Sequence, residues 1–549
     1  MQLPASALRY APYLLCLFGA LFTLTLTYLI SLLWLLAALP LSALAITGTW
    51  DVLQKRRTIS RNYPVLAHFR YFLESIGPEL RQYFIQSDTD ELPFSREQRN
   101  IVYQRAKNIL DKKPFGSLIP MNAEGYEWMN HSLAPVEIID KNFRVTVGSH
   151  PKTLKPYDVS VFNISAMSFG SLSANAILAL NAGAKKGGFY HDTGEGSISR
   201  YHREPGGDLV WEIGSGYFGC RKPDGSFDPE RFAKTAQLDQ VKMIEIKLSQ
   251  GAKPGHGGIL PAAKVTAEIA AARGVPEGED VVSPAAHSAF HTPLELMAFI
   301  AQLRELSGGK PVGFKLAIGH PWEWFGIAKA MLETGEHPDF IIVDGGEGGT
   351  GAAPLEFINR LGTPMSDALL LVHNTLVGTN LREKIALGAA GKVTSAFNIA
   401  RTMALGADWC NAGRGFMFSL GCIQSLSCHN DKCPSGVATQ APGRGGKLDV
   451  TDKSERVYNF QHNTVLALSN LLEAAGLSHP RELGPEHIMR RVTRYEMQPY
   501  SELFEFLEPG VLLDGRAEIH VFKKYWAQAK ADSFGAPEFM IKLRETKLR

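Results

Sequence analysis

Three of the six cysteines, Cys422, Cys428 and Cys433, fall within twelve residues, spaced C-x5-C-x4-C with Pro434 directly after the last. Thiols this dense, in a chain with no sign of a secreted disulfide scaffold, point to metal ligation. Zinc prefers four ligands and would need His429 or Cys410 to complete the set. An iron-sulfur cluster accepts thiolates around a sulfide-bridged core, and a Cys-Pro end suits one. A cuboidal three-iron cluster needs one protein ligand per iron. Buried or reactive thiols are the remaining reading.

Glycine-rich segments carry the second signal. Asp344-Gly345-Gly346-Glu347-Gly348-Gly349-Thr350-Gly351 follows an apolar run, and glycines at that density let backbone amides turn toward one anion. Lys247-Leu248-Ser249-Gln250-Gly251-Ala252-Lys253-Pro254-Gly255-His256 is a second such loop, whose lysines and glutamine could hold a dianionic ligand or a reduced flavin. Asp192-Thr193-Gly194-Glu195-Gly196 sets a carboxylate between glycines. Backbone near 166–170 could line a flavin ring, while Ser171 or Ser173 could simply cap the next helix. Lys315 stands alone in the apolar run Val312–Ala317. A buried ammonium is costly unless paired, so it is either a ligand-facing cation or a salt-bridged structural one.

The elements that must position these groups alternate between short apolar runs and helical patterns from about residue 158. The periodicity predicts strands at 160–165, 242–248, 311–317, 339–344, 384–388 and 407–411. It predicts helices at 172–185, 261–273, 292–307, 323–334, 374–383 and 396–405. Such alternation implies a parallel sheet. With functional-looking loops after successive strands, a (β/α)8 TIM barrel, fold class α/β, fits best. A doubly wound sheet is the alternative, but no G-x-G-x-x-G opens an early helix.

Before the barrel, Ala11 to Thr49 carries no charged side chain and is long enough for two tight membrane spans. Arg9 on one side and Lys55, Arg56, Arg57 and Arg61 on the other favour a hairpin with both ends cytoplasmic. One long span with an interfacial segment, or a buried helix pair, is the other option. The reading is therefore a membrane anchor at 1–61, with lipid as a partner and the catalytic part on the cytoplasmic side of a bacterial inner membrane. A lead-in or cap region follows at 62–157, with Thr89-Asp90-Glu91 as a solvated turn and a helix from Pro93 capped by Ser95. The barrel occupies 158–450, with its cysteine loop at 422–433. A partly helical extension at 451–549 has a helix over 465–475 and a short strand between Gly510 and Val521. The chain is 45% hydrophobic and 20% charged, as for an ordered protein, and a net charge of +2 gives no basic excess that would suggest nucleic acid as a partner.

With these residues in view, the chain resembles the FMN-binding synthase domain of the glutamate synthase family, in its short, membrane-tethered form. The likeness covers about 80–450 and continues weakly to about 495. It is carried by Cys422, Cys428, Cys433-Pro434-Ser435-Gly436-Val437-Ala438-Thr439-Gln440, and by Ser165–Gly170, Thr193–Gly196, Gln250–Gly255 and Asp344–Pro354 in the family's order. The resemblance implies an FMN-carrying (β/α)8 barrel and a 3Fe-4S cluster on the three cysteines. It implies catalytic roles for Glu195, Lys247, Gln250, Lys253 and Lys315. It places FMN against Ser165, Ala166, Met167, Ser168, Gly194, Gln250, Lys315, Asp344, Gly345, Gly346, Gly348, Gly349, Thr350, Gly391 and Thr394.

The implied reaction is reductive amination of 2-oxoglutarate with ammonia, through 2-iminoglutarate, to glutamate. Ferredoxin or another protein would donate electrons. No glutaminase segment and no long C-terminal β-helix is recognisable, so ammonia would be free or supplied by a separate protein. Three blocks depart from the family pattern. His256 stands where the family has glutamate. Ser283-Pro284-Ala285-Ala286-His287-Ser288-Ala289 replaces a proline- and histidine-rich block. Ala389-Ala390-Gly391-Lys392-Val393-Thr394-Ser395 replaces a phosphate-linked D-G-G-x-x-T-G. The segment Ile318–Phe325 is also unlike the family. These departures leave another oxo or imino acid, or a non-catalytic electron relay, as alternatives.

Overall fold

Eight parallel strands close into a barrel in the computed structural model, which describes residues 9–54, 57–85, 93–109 and 112–548. The barrel strands are β1 (Phe162–Ile164), β2 (His191–Asp192), β3 (Leu209–Ile213), β4 (Val241–Lys247), β5 (Val312–Leu316), β6 (Phe340–Asp344), β7 (Ala386–Ala390) and β8 (Trp409–Ala412). Neighbours pair in chain order, and β8 returns to β1 with Cys410 opposite Phe162, which leaves no edge. The strands are buried on both faces, as runs such as Phe340-Ile341-Ile342-Val343 require.

Helices fill the crossovers, and their ends follow from local chemistry. Ser173, rather than Ser171, caps Ala174–Gly187 by accepting from the Ala176 amide at 3.3 Å, and Gly188 ends that helix at φ 63°. Thr292 caps Pro293–Leu306, Ser395 caps Ala396–Ala404, and Asp449 caps Val450–Ala475. This last helix begins fifteen residues before the predicted Val465 and packs along Ala174–Gly187, with the Val457 side chain against Gly183.

Several expectations are corrected. β2 and β3 escape the apolar-run test, because β2 has two residues and β3 carries Glu212 inside the barrel. β7 runs two residues later than predicted, since Ala-Leu-Gly-Ala-Ala has weak strand character and is chosen by burial alone. The helix expected at 374–383 spans Met365–Gly378, entered through Pro364. The helix expected at 261–273 is broken into a 3-10 turn at Ala262–Lys264 and a helix at Ala267–Arg273 capped by Thr266. No strand forms between Gly510 and Val521; that stretch is turns leading into a helix at His520–Tyr525. Instead Met497–Pro499 and Ile488–Arg491 form an antiparallel sheet with Glu127–Met129.

The chain divides into two units, residues 1–96 and 97–549. In the first, Ala11–Leu29 and Leu35–Leu53 form an antiparallel pair of apolar helices, each long enough to cross a bilayer, consistent with a transmembrane hairpin. Gly48 lets the Tyr13 ring lie against the second helix, and the Tyr13 hydroxyl meets the Thr49 hydroxyl at 3.0 Å. Hydroxyls of Thr23, Thr25, Thr27, Thr47 and Thr49 donate to carbonyls one turn back, which satisfies them without water. Large side chains such as Phe18, Phe22, Leu36 and Ile46 face outward. Lys55, Arg56 and the turn at Thr89-Asp90-Glu91 lie outside the described residues. The helix Arg96–Ala106, which starts directly after Ser95, leads into the second unit.

Candidate functional site

The loops at the carboxyl ends of the strands gather the sequence-derived candidates on one face of the barrel. β4 ends in Lys247, whose ammonium donates to Glu195 Oε1 at 3.1 Å from the loop after β2. The Ser283 hydroxyl donates to the other carboxylate oxygen at 3.3 Å. Burial by itself would raise the Glu195 pKa, but Lys247, with Arg273 and Lys253 nearby, pulls it down to about 2. Gly258 is required here, because a Cβ on it would stand 1.8 Å from Glu195 Oε1. The departing block at 283–289 supports this pair. His287 Nε2 donates to the Lys247 carbonyl at 2.9 Å, so its Nδ1 accepts from the Tyr217 hydroxyl at 3.0 Å. Burial pushes that imidazole down to about 4, so it stays neutral.

Lys253 is 3% exposed and donates to the Ala352 carbonyl at 3.1 Å. Burial and the neighbouring Lys247 ammonium lower its pKa to about 8. The loop that carries it is fused to the glycine loop after β6. Asp344 Oδ2 accepts from the Gly251 amide at 2.8 Å, and Gln250 donates to the Gly349 carbonyl at 3.2 Å. A Cβ on Gly251 would meet the Gly345 carbonyl oxygen at 1.8 Å, so the two loops form one wall. Opposite, Gly194 turns at φ 63°, where a Cβ would touch the Ser168 amide nitrogen, which brings the loops after β1 and β2 together. Ser165 donates through its amide to the Ala412 carbonyl at 3.1 Å, which seats the start of Ser165-Ala166-Met167-Ser168 over β8.

Lys315 lies below this mouth, inside the barrel. Its ammonium contacts Glu212 and lies 3.3 Å from Glu245 Oε1. Asp192, Glu212 and Glu245 bring carboxylate oxygens within 4.8 Å of one another. Burial opposes the charge on Lys315, yet Glu212 and Glu245 hold its pKa well above the usual value. Burial and Glu212 push Asp192 up to about 7, and burial, with Asp192 beside it, raises Glu245 well above the usual carboxylate range. The ammonium is thus engaged by protein carboxylates.

Three basic residues escaped the sequence reading. Arg273, 5% exposed, lies against Gly196 and donates to the Phe169 carbonyl at 3.3 Å, while its Nε has no partner among the described residues. Burial brings its pKa down to about 10. Lys392 and Arg414 stand at the ends of β7 and β8, and burial and each other's proximity lower the Lys392 pKa. Arg414 opens the short helix Arg414–Ser419, lies against Gly349 and donates to the Glu347 carbonyl at 2.6 Å. The D-G-G pattern that would normally reveal this spot is missing, so Gly391 and Thr394 were its only sequence markers.

Cys422, Cys428 and Cys433 are free thiols on the loop after β8. Burial and the neighbouring thiols push Cys422 up to about 12 and raise Cys428. Cys433 goes the other way: burial opposes ionisation, but the Ser435 hydroxyl and the amides of Ala438, Ser435 and Val437 lower its pKa. The loop is stitched to the turn after β1: Gln440 Nε2 donates to the carbonyls of Gly170 at 3.0 Å and Leu172 at 2.8 Å, and the Ser173 amide donates to Val437 at 2.9 Å.

The conserved region of glutamate synthase matches residues 135–478. A glutamate synthase large subunit-like protein, YerD, of Bacillus subtilis is 38% identical over 83% of this chain and 94% of its own length. An archaeal glutamate synthase (NADPH) of Methanocaldococcus jannaschii is 34% identical over 57% of this chain and 59% of its own length. For the Thermotoga maritima protein of the same type the figures are 32%, 61% and 63%, so the match spans about three-fifths of these two relatives. A family match across most of the chain, lying over the barrel and its cysteine loop, makes this protein a member of the glutamate synthase family, built on a closed eight-stranded parallel barrel.

Proposed function

We propose that this protein is a membrane-tethered, FMN- and iron-sulfur-dependent oxidoreductase that aminates 2-oxoglutarate reductively, through 2-iminoglutarate, to L-glutamate. The observation that carries the reading is the set of cations Lys247, Lys253 and Arg273 around Glu195, on the barrel face fastened to the cysteine loop. Three partly desolvated cations against one carboxylate leave a surplus of positive charge, which a dianionic substrate would neutralise. Arg273 offers an unpartnered Nε, and Lys253 an ammonium held only by a neutral carbonyl. Lys247 is paired with Glu195 in the free protein, and a bound ligand anion would draw on the same ammonium, weaken its hold on Glu195 and let that carboxylate take up a proton beside the bound carbonyl or imine.

The residues fit both cofactors. Lys392 and Arg414, with Gly349, Gly391 and Thr394, would take the FMN phosphate at the loops after β7 and β8, where barrels of this class commonly bind one. Ser165–Ser168 and Gly194 would face the ring, and Asp344 with Gly345, Gly346, Gly348 and Thr350 would form the adjoining wall. Gln250 and the buried Lys315 ion-pair set sit beside and below it. Three thiols on one loop offer one ligand per iron of a 3Fe-4S cluster, whereas a tetrahedral zinc would need a fourth ligand. When bound, FMN supplies hydride chemistry and the cluster relays single electrons from a protein donor such as ferredoxin.

Ammonia would be free or delivered by a separate protein, and the barrel would face the cytoplasm from the inner membrane. Full-length protein purified anaerobically should hold flavin and about three irons per chain, and should form glutamate from 2-oxoglutarate, ammonia and a chemical reductant. Cofactor-loaded protein that forms no glutamate would sink the substrate assignment. A second reading keeps the cofactors and changes the oxo acid: His256 stands edge-on to Phe357 at 5.4 Å, three residues from Lys253, adding an aromatic contact to the mouth. Oxidation of the reduced protein by an aromatic or branched oxo acid with ammonia, in preference to 2-oxoglutarate, would favour it.

A further inference from the structure

Lys264 belongs to the broken turn at Ala262–Lys264 and is 2% exposed. Its ammonium donates to the Ser171 carbonyl at 3.0 Å, in the turn after β1, and to the Ala438 carbonyl at 3.1 Å, beyond the cysteine loop. Among the described residues no carboxylate lies within ion-pair distance of it. The negative groups that feel its charge are Asp431, Cys428 and Cys433. Elsewhere the buried cations Lys315 and Arg304 have carboxylate partners, whereas the buried Lys310 donates to two backbone carbonyls. A buried ammonium held only by neutral carbonyls is costly unless charge is supplied from another source.

We propose that Lys264 is a positioning residue of the redox centre: its ammonium is the internal counter-charge of the cluster ligated by Cys428, Cys433 and Cys422, and it fastens that cluster to the turn after β1. The inference rests on the iron-sulfur reading above. A three-thiolate cluster becomes more negative on reduction, so a fixed cation beside two of its ligands stabilises the reduced form and raises the midpoint potential. The neutral amide of Gln440 makes a parallel pair of hydrogen bonds to the same turn, so mechanical fastening does not depend on Lys264 alone. Charge is what Lys264 adds.

The test compares the full-length holoprotein with K264M, K264Q and K264R by redox titration followed by electron paramagnetic resonance, with iron and sulfide content measured on each. K310M is the control, because Lys310 is also buried and donates to two carbonyls, those of Ala236 and Leu238, away from the cysteines. The expected result is a lower midpoint potential in K264M and K264Q, a value near wild type in K264R, and an unchanged potential in K310M. Loss of the cluster in both neutral variants with its retention in K264R would equally mark the charge as the requirement. An unchanged potential in K264Q, or a shift of the same size in K310M, would overturn the inference. Wild-type protein without iron would instead overturn the cluster reading, and the inference with it.

Discussion

Replacing Lys253 by methionine should make the protein more stable and worse at its task. Lys253 is almost fully buried, and burial with the adjacent Lys247 ammonium brings its pKa from 10.5 to about 8. At about 1.4 kcal/mol per pH unit, keeping it charged at pH 7 costs the fold about 3 kcal/mol. Methionine removes that cost but also removes the donor to the Ala352 carbonyl, a loss of about 1 kcal/mol. The net gain is about 1–2 kcal/mol, or about 2–3 °C in melting temperature for a unit this large. The folded-state pKa lies below the unfolded one, so the cost is complete below pH 8 and fades as pH rises from about 8 toward 10.5. The advantage of K253M should therefore shrink above pH 8. Calorimetric titration of the full-length protein with 2-oxoglutarate at pH 7 should show Kd rising about 30-fold or more, since a buried charge contact of this kind is worth at least about 2 kcal/mol. Thermal melts at pH 7 and 9.5 supply the stability arm. A K253M melting temperature several degrees below wild type at pH 7 would instead mean that Lys253 is stabilised within the fold and is not waiting for a ligand.

Three further outcomes follow from the same geometry. Glu195, held at about 2, contributes stability that is present above about pH 4.5 and is lost as pH falls toward 2; E195Q should flatten that acid limb and lower stability at pH 7 by about 3 kcal/mol, read from melts across pH 3–7. K315M strands Asp192, Glu212 and Glu245 without their cation and should cost about 3–5 kcal/mol at pH 8, with part of the loss recovered at pH 5 as the carboxyls take up protons. G251A forces a methyl toward the Gly345 carbonyl and should separate the two loops, raising the Kd for 2-oxoglutarate at least tenfold while the far-ultraviolet spectrum of the barrel is unchanged.

What the sequence discloses about this molecule depends on how far apart the partners lie. β5 and β6 are legible because β-branched and aromatic runs bounded by turns read as buried strands. The glycine loops are legible because close backbone approach leaves its mark in composition. Glu212 hides β3, since a carboxylate inside a barrel makes sense only beside Lys315, 103 residues later. Arg273 looks like the basic end of an ordinary helix; only folding shows it turned toward Glu195. Arg414 and Lys392 were obscured for another reason: the pattern usually read at that place is absent, and the two cations come from two different strand ends.

The lysines of this barrel sort by where their counter-charge resides, and that ordering argues for where ligands go. Lys315 has Glu212 and Glu245, so nothing from outside is needed to keep it charged. Lys247 has Glu195, a partner at the mouth that a ligand anion can share. Lys253 and Lys264 donate to neutral carbonyls and, among the described residues, have no carboxylate within ion-pair distance; Glu195 and Asp431 act on them only from further off. Burying a charge without a partner is among the more expensive things a fold does, and selection tolerates it where function repays it. Lys310 is buried on two carbonyls as well, so a missing carboxylate does not by itself mark a ligand site; what sets Lys253 and Lys264 apart is position, at the mouth beside Glu195 and behind the cysteine loop, where a dicarboxylate and a thiolate-bound cluster are proposed. Sequence singles out Lys247, Lys253 and Lys315 and passes over Lys264; the inventory of carboxylates is what separates all four.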